Sequence, residues 1–207
     1  MPERVNPRPS LRAEQAAITR RRIADAARLL FARDGYGATT LQAIADQAGV
    51  AVQTVYAVYH SKPGILRELR DSIVLLPEAD ERARTAMAMA TSGERGAALD
   101  TFAASIRIRW EVGVDVVLVG REAGSTDAEL RADANQPYER RRAGLRALVD
   151  ALGPGLRPGV DTDDAMAGLD ALTLPDVYVE LVRGLGWSPD AYEAWLARSL
   201  RRLLLEG

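Results

Sequence analysis

The sequence predicts an all-α fold, and three observations carry that expectation. Ala, Leu, Arg and Glu dominate its 207 residues, apolar positions recur at helical rather than alternating spacing, and proline is missing between Pro9 and Pro63. About nine helices are expected, arranged as a three-helix head and a longer helical body. The length suits one or two domains with a real core.

Residues 1–18, with Pro2, Pro7 and Pro9, read as an arm. Ile23, Ala26, Ala27, Leu30 and Phe31 then form one apolar helical stripe, with Thr19 as its expected N-cap and 34–37 as its end. A second helix starts at Thr39, with Gln42 at capping-box spacing. Ile44, Ala45 and Ala48 face inward, and Gly49 supplies a left-handed turn plugged by Val50. Val52, Val55 and Tyr59 share one side of the third helix, and small Ala45 lets the two helices cross closely. Ser61 caps a fourth helix, with Pro63 in its first turn and Pro77 beyond its end. Further helices are expected near 79–91, 94–122, 126–152, 162–184 and 188–205, with a loop at 153–160. Pro175 should kink or split the penultimate one.

The chain has no cysteine and one histidine, His60, which excludes disulfides and thiolate metal sites and argues against a metal centre or other cofactor. No apolar run is long enough for a membrane span and no signal peptide is visible, so a cytoplasmic protein is expected. The net charge of -2 hides a division. Residues 1–70 hold 11 basic and 6 acidic residues, whereas 71–207 hold 16 and 23. A basic head on an acidic body suits a protein that meets phosphates at one end.

Two short helices joined by a glycine turn have the layout of a helix-turn-helix, whose second helix enters the DNA major groove. Its outward face is Gln53, Thr54, Tyr56 and Ala57. The Gln53 amide can pair bidentately with adenine; the competing reading is a solvated polar side chain. Thr54 and Tyr56 offer hydroxyls to phosphates, against a packed aromatic for Tyr56. Lys62, the only lysine, suits a phosphate clamp or an ordinary surface charge. Thr40 and Gln42 open the preceding helix near the DNA backbone, although Thr40 also suits a simple cap. Val52 is divided evenly between groove and core, and His60 reads as a loop residue near phosphate.

The segments TRRRIADAARLLFARDGYGATT, LQAIADQAGV and QTVYAVYHSKPGIL, over Thr19 to Leu66, resemble the TetR/AcrR family of bacterial transcriptional regulators. The resemblance covers about a quarter of the chain. It implies a DNA-binding domain over 19–68 and a helical effector-binding and dimerisation domain over 69–207. It also assigns Tyr56 to the DNA backbone, and Val52 and Ala57 to the groove. The sequence departs from the common pattern at Ala51, Gln53, Tyr59 and Pro63. Gln53 turns a small spacer into a possible base reader, and the Tyr59 hydroxyl needs a partner.

In the body, Phe102, Ile106 and Trp110 share an apolar face, and Tyr138 and Met166 stand behind them as further effector-pocket candidates, against plain core packing. Arg107, Arg109, Asp115 and Arg121 share that helix as solvated charges, of which one turned inward could orient a polar ligand, but no charge run names the ligand's charge. Trp195, Leu196, Leu200, Leu203 and Leu204, flanked by Trp187 and Tyr192, form a stripe for a dimer interface or for the chain's own core. The expected protein is a homodimeric repressor that leaves a palindromic double-stranded operator when a small molecule binds. The alternative is a helical small-molecule- or protein-binding module without DNA recognition. No catalytic set is visible, so an enzyme is not expected.

Overall fold

A computed structural model describes residues 11–126 and 128–205, which are helical with no strand among them. The chain divides after Leu69 into two compact units, a head and a body. The head contains α1 (Leu11–Asp34), α2 (Leu41–Ala48), α3 (Val52–Tyr59) and the start of α4 (Lys62–Val74). The body continues with α5 (Pro77–Ser92), α6 (Arg95–Thr126), α7 (Ala128–Leu152), α8 (Thr162–Leu172), α9 (Pro175–Tyr178) and α10 (Pro189–Leu204). Among the described residues no helix is long and apolar enough to cross a membrane.

Two local expectations change and a third holds. Helix α1 begins at Leu11, so Thr19 lies within it and caps nothing. Residues 11–18 are good helix formers without Gly or Pro, and propensity carries the helix outward although Leu11 and Ile18 remain exposed. The cap of α2 is Thr40, whose hydroxyl accepts from Ala43 N at 3.1 Å. Thr39 instead donates to the Gly35 carbonyl, and Gln42 donates down the helix to Asp46. The capping box is therefore displaced by a single-residue cap. Pro175 does split the penultimate segment: it opens α9, which passes at once into a π-helical turn over Val179–Gly184.

The head core is Ile23, Ala27, Phe31, Ile44, Ala45 and Val55, with Ile65 and Leu66 from α4. Ala45 is fully buried, as a close α2–α3 crossing requires. Gly49 has φ 64°, a conformation that strains any side chain. The body core runs along α6, where Leu99, Phe102, Ile106, Trp110 and Val114 meet α7, α8 and α10. Close approach of α4 and α6 depends on Gly113, where a Cβ would stand 2.5–2.7 Å from the Ile73 side chain.

The stripe on α10 is mostly interior. Tyr192, Leu196, Leu200 and Leu204 are fully buried within the chain's own core, while Trp195 and Leu203 are only partly covered. This corrects the use of Leu196, Leu200 and Leu204 as interface residues, because a side chain already buried has no surface left to offer.

Candidate nucleic-acid interface and body cavity

Helix α3 is two-sided. Val55 and Tyr59 are buried, whereas Gln53, Tyr56 and Ala57 are exposed, with Tyr56 at 52%. Val52 and Thr54 are half-buried. The structure thus brings Gln53, Tyr56 and Ala57 onto one free face, with Thr54 at its margin and Val52 between face and core. Ala51 precedes the helix without a side-chain cap, which is the consequence of having Ala there. Thr40 and Gln42 are at the start of α2, Gln42 exposed and Thr40 exposed while capping.

The underside of α3 is held by a polar cluster. The Tyr59 hydroxyl lies 2.8 Å from a Glu68 carboxylate oxygen and 3.0 Å from the Arg20 carbonyl. Glu68 also accepts from Arg20 Nε at 2.6 Å, and the Arg20 guanidinium covers the Tyr59 ring. Burial, then the hydrogen bond to Glu68, pushes the Tyr59 phenol well above its ordinary range, so it stays neutral. Arg22 donates to the Ala48 carbonyl at 2.6 Å and so ties α1 to the turn before α3. These ties fix how α3 is presented.

Lys62 has a structural task. Its Nζ donates to the carbonyls of Tyr36 at 2.7 Å and Thr39 at 2.9 Å, and lies 4.3 Å from the Tyr36 ring centroid. The ammonium therefore staples the α1–α2 loop, which differs from the free phosphate clamp the sequence suggests. The physical reason is that backbone carbonyls and an aromatic face converge where the short α3–α4 turn delivers the lysine. His60 is exposed and ends α3 with φ 63°, the only positive φ outside glycine among the described residues. Ser61 then caps α4 by accepting from Gly64 N at 3.2 Å.

The body contains a cavity of about 520 Å³ between α4, α5, α6 and α7, with Pro175 at its edge. Phe102, Ile106 and Trp110 line it as expected. Met166 does not; it is half-buried on α8, packed against the body core. The side chain of Tyr138 lies outside the described residues. Trp110 donates its indole N–H to the Thr173 carbonyl at 3.1 Å, so it serves as an apolar wall. Arg109 and Arg121, named from the sequence, also line it, and residues without a sequence expectation complete the lining: Met87, Leu145, Leu148, Arg70, Arg84, Arg140 and Arg141. On α7 a signal existed, since Arg141, Leu145 and Leu148 recur at one-turn spacing. Arg141 binds Asp170 and donates to the Thr173 hydroxyl at 2.7 Å, while Arg109 reaches Asp80 at 2.8 Å. Arg121 reaches Asp176 at 2.6 Å, and Arg107 turns away to Glu111 and Glu193.

Residues 23–69 match the family described as bacterial regulatory proteins, tetR family. No curated protein matches the chain by sequence. Among solved structures, a transcriptional regulator from Saccharomonospora viridis in complex with choline aligns with a TM-score of 0.70 at 23% identity, over 92% of this chain and 100% of that one. The regulator FadR from Bacillus subtilis, in complex with stearoyl-CoA, gives 0.66 at 20% identity, over 90% and 98%. PfmR from Thermus thermophilus, a TetR-family transcriptional regulator, gives 0.66 at 20%, over 88% and 97%. At these identities the likeness is one of fold.

Proposed function

From the premise that this chain belongs, through residues 23–69, to the tetR family of bacterial regulatory proteins, we propose that it is a homodimeric repressor released from a palindromic operator by a small molecule. The observation that carries the reading is the two-sided α3, with Gln53, Tyr56 and Ala57 exposed over buried Val55 and Tyr59. In this reading residues 19–68 bind DNA and residues 69–207 bind the effector and a second copy.

Gln53 reads a base, Tyr56 and Thr54 contact phosphates, and Ala57 and the exposed part of Val52 meet thymine methyls. Thr40, Gln42 and His60 stand at the flanking backbone. Lys62 acts mainly by shaping the loop beneath them. One α3 reads too few bases for a specific site, which favours a twofold dimer whose recognition helices are about 34 Å apart. The partly covered Trp195 and Leu203 of α10, beside exposed Ala167 and Ala171 of α8, are the surface proposed for that contact.

The cavity supports an effector role, and structures of this fold hold choline and stearoyl-CoA. Helix α4 has residues in both units and also borders the cavity through Arg70 and Ile73. A ligand favouring one placement of α4 would shift DNA affinity by its differential affinity for the two states and by no more. The test is selection of bound sequences from a random duplex pool by the full chain. An enriched palindrome with half-sites one helical turn apart is expected. Recovery of unselected sequence would overturn the DNA-binding reading.

A further inference from the structure

The lining of the cavity carries information about the chemistry of what enters it. Residues 70–207 hold 17 basic and 23 acidic side chains, so the body as a whole is acidic. Around the cavity the balance reverses: Arg70, Arg84, Arg109, Arg121, Arg140 and Arg141 line it against one carboxylate, Asp80. Asp170 and Asp176 reach two of these arginines from outside the lining. Counting them, six lining arginines stand against three carboxylates among the described contacts. The arginines come from α4, α5, α6 and α7, so they converge from separate parts of the chain. Between them the walls are apolar, with Phe102, Ile106, Trp110, Leu145 and Leu148.

We propose that the effector of this site is an organic anion with an apolar body, its carboxylate or phosphate held by the arginines and its hydrocarbon against the Trp110 wall. The inference rests on the effector-regulated reading above and deepens it. Planar guanidiniums match carboxylate and phosphate oxygens bidentately. A cationic ligand finds the opposite conditions: Asp80 is already engaged by Arg109 at 2.8 Å, and the remaining field repels it. The volume, about 520 Å³, falls within the roughly 300–1,000 Å³ of small-molecule sites.

Four probes of equal chain length separate charge from apolar burial: decanoate, decyl phosphate, decanol and decyltrimethylammonium. Calorimetric titration into the full chain should show one or both anions binding at least about tenfold more tightly than the alcohol, with the ammonium weakest. The stronger anion identifies the headgroup. Alcohol affinity equal to that of both anions overturns the charge assignment while leaving the effector reading standing. No heat with any probe overturns both. A second arm uses the double variant Arg84→Gln/Arg140→Gln, whose side chains are exposed and whose replacement should leave the thermal melt unchanged. Its preference for anion over alcohol should fall by about tenfold. An unchanged preference removes these arginines from the site.

Discussion

The head and the body use charged side chains in opposite ways. In the head, the chemistry proposed for function faces solvent on one short helix, and charges behind it are spent on geometry. Arg20, Arg22 and Lys62 all bind protein oxygens there and hold α3 in place. In the body, acidic residues predominate in number, yet basic ones converge on an apolar cavity. A recognition surface can thus be built from neighbours in sequence, while a pocket must be assembled from helices far apart in the chain. Net charge describes neither site, because what matters is which charges converge.

The largest effect that would break this contrast concerns Lys62. If the ammonium is structural, Lys62→Met should destabilise the head by about 1.5–3 kcal/mol, the range for a hydrogen bond to a charged group. Thermal melting of the full chain checks this, and an unshifted melt returns Lys62 to the ordinary surface charges. Gln53→Ala should do the reverse: unchanged melting, and a loss of about 1–3 kcal/mol in discrimination at one operator position. Binding measured against operator variants decides it, since uniform weakening at every position would remove Gln53 from base reading.

The smallest expected effect is in the body. The hydrogen bonds from Arg121 hold the Asp176 carboxyl below its ordinary value. A depressed folded-state value stabilises above the ordinary carboxylate range, and that stability is lost as pH falls through it toward the folded value. Asp176 is 58% exposed, so solvent screening limits the pair to at most about 1 kcal/mol. Asp176→Asn should flatten the acid limb of stability slightly below pH ~4. Denaturant midpoints over that limb supply the check, and a parallel offset at all pH values would mean the pair does not titrate as described.

The same contrast explains what the sequence makes legible. The all-α class, the glycine turn and the exposed face of α3 follow from neighbouring residues, and periodicity suffices to read them. The split at Pro175 is local as well. The partner of the Tyr59 hydroxyl is Glu68, on another helix, and the oxygens that hold Lys62 lie more than twenty residues back. Neither has a signature in spacing. Thr39 and Thr40 compete for one cap, and only backbone geometry decides between adjacent hydroxyls. In the body, Phe102, Ile106 and Trp110 are legible as an apolar stripe. Met166 has the right chemistry on a helix packed elsewhere. Arg109 and Arg121 are legible as charges on that helix, but their convergence with Arg70, Arg84, Arg140 and Arg141 is not, because these positions meet only in three dimensions.

Lys62 supplies the one side-chain amine in the sequence, and that half-buried amine is engaged by backbone carbonyls within the head. Any reagent that acylates or methylates lysine therefore has a single side-chain target, and its reaction rate follows opening of the α1–α2 loop. An isotopic methyl placed there would give one side-chain resonance, distinct from that of the α-amino group and located beneath the surface proposed to meet DNA. The scarcity of lysine in an arginine-rich chain makes the molecule its own single-site reporter.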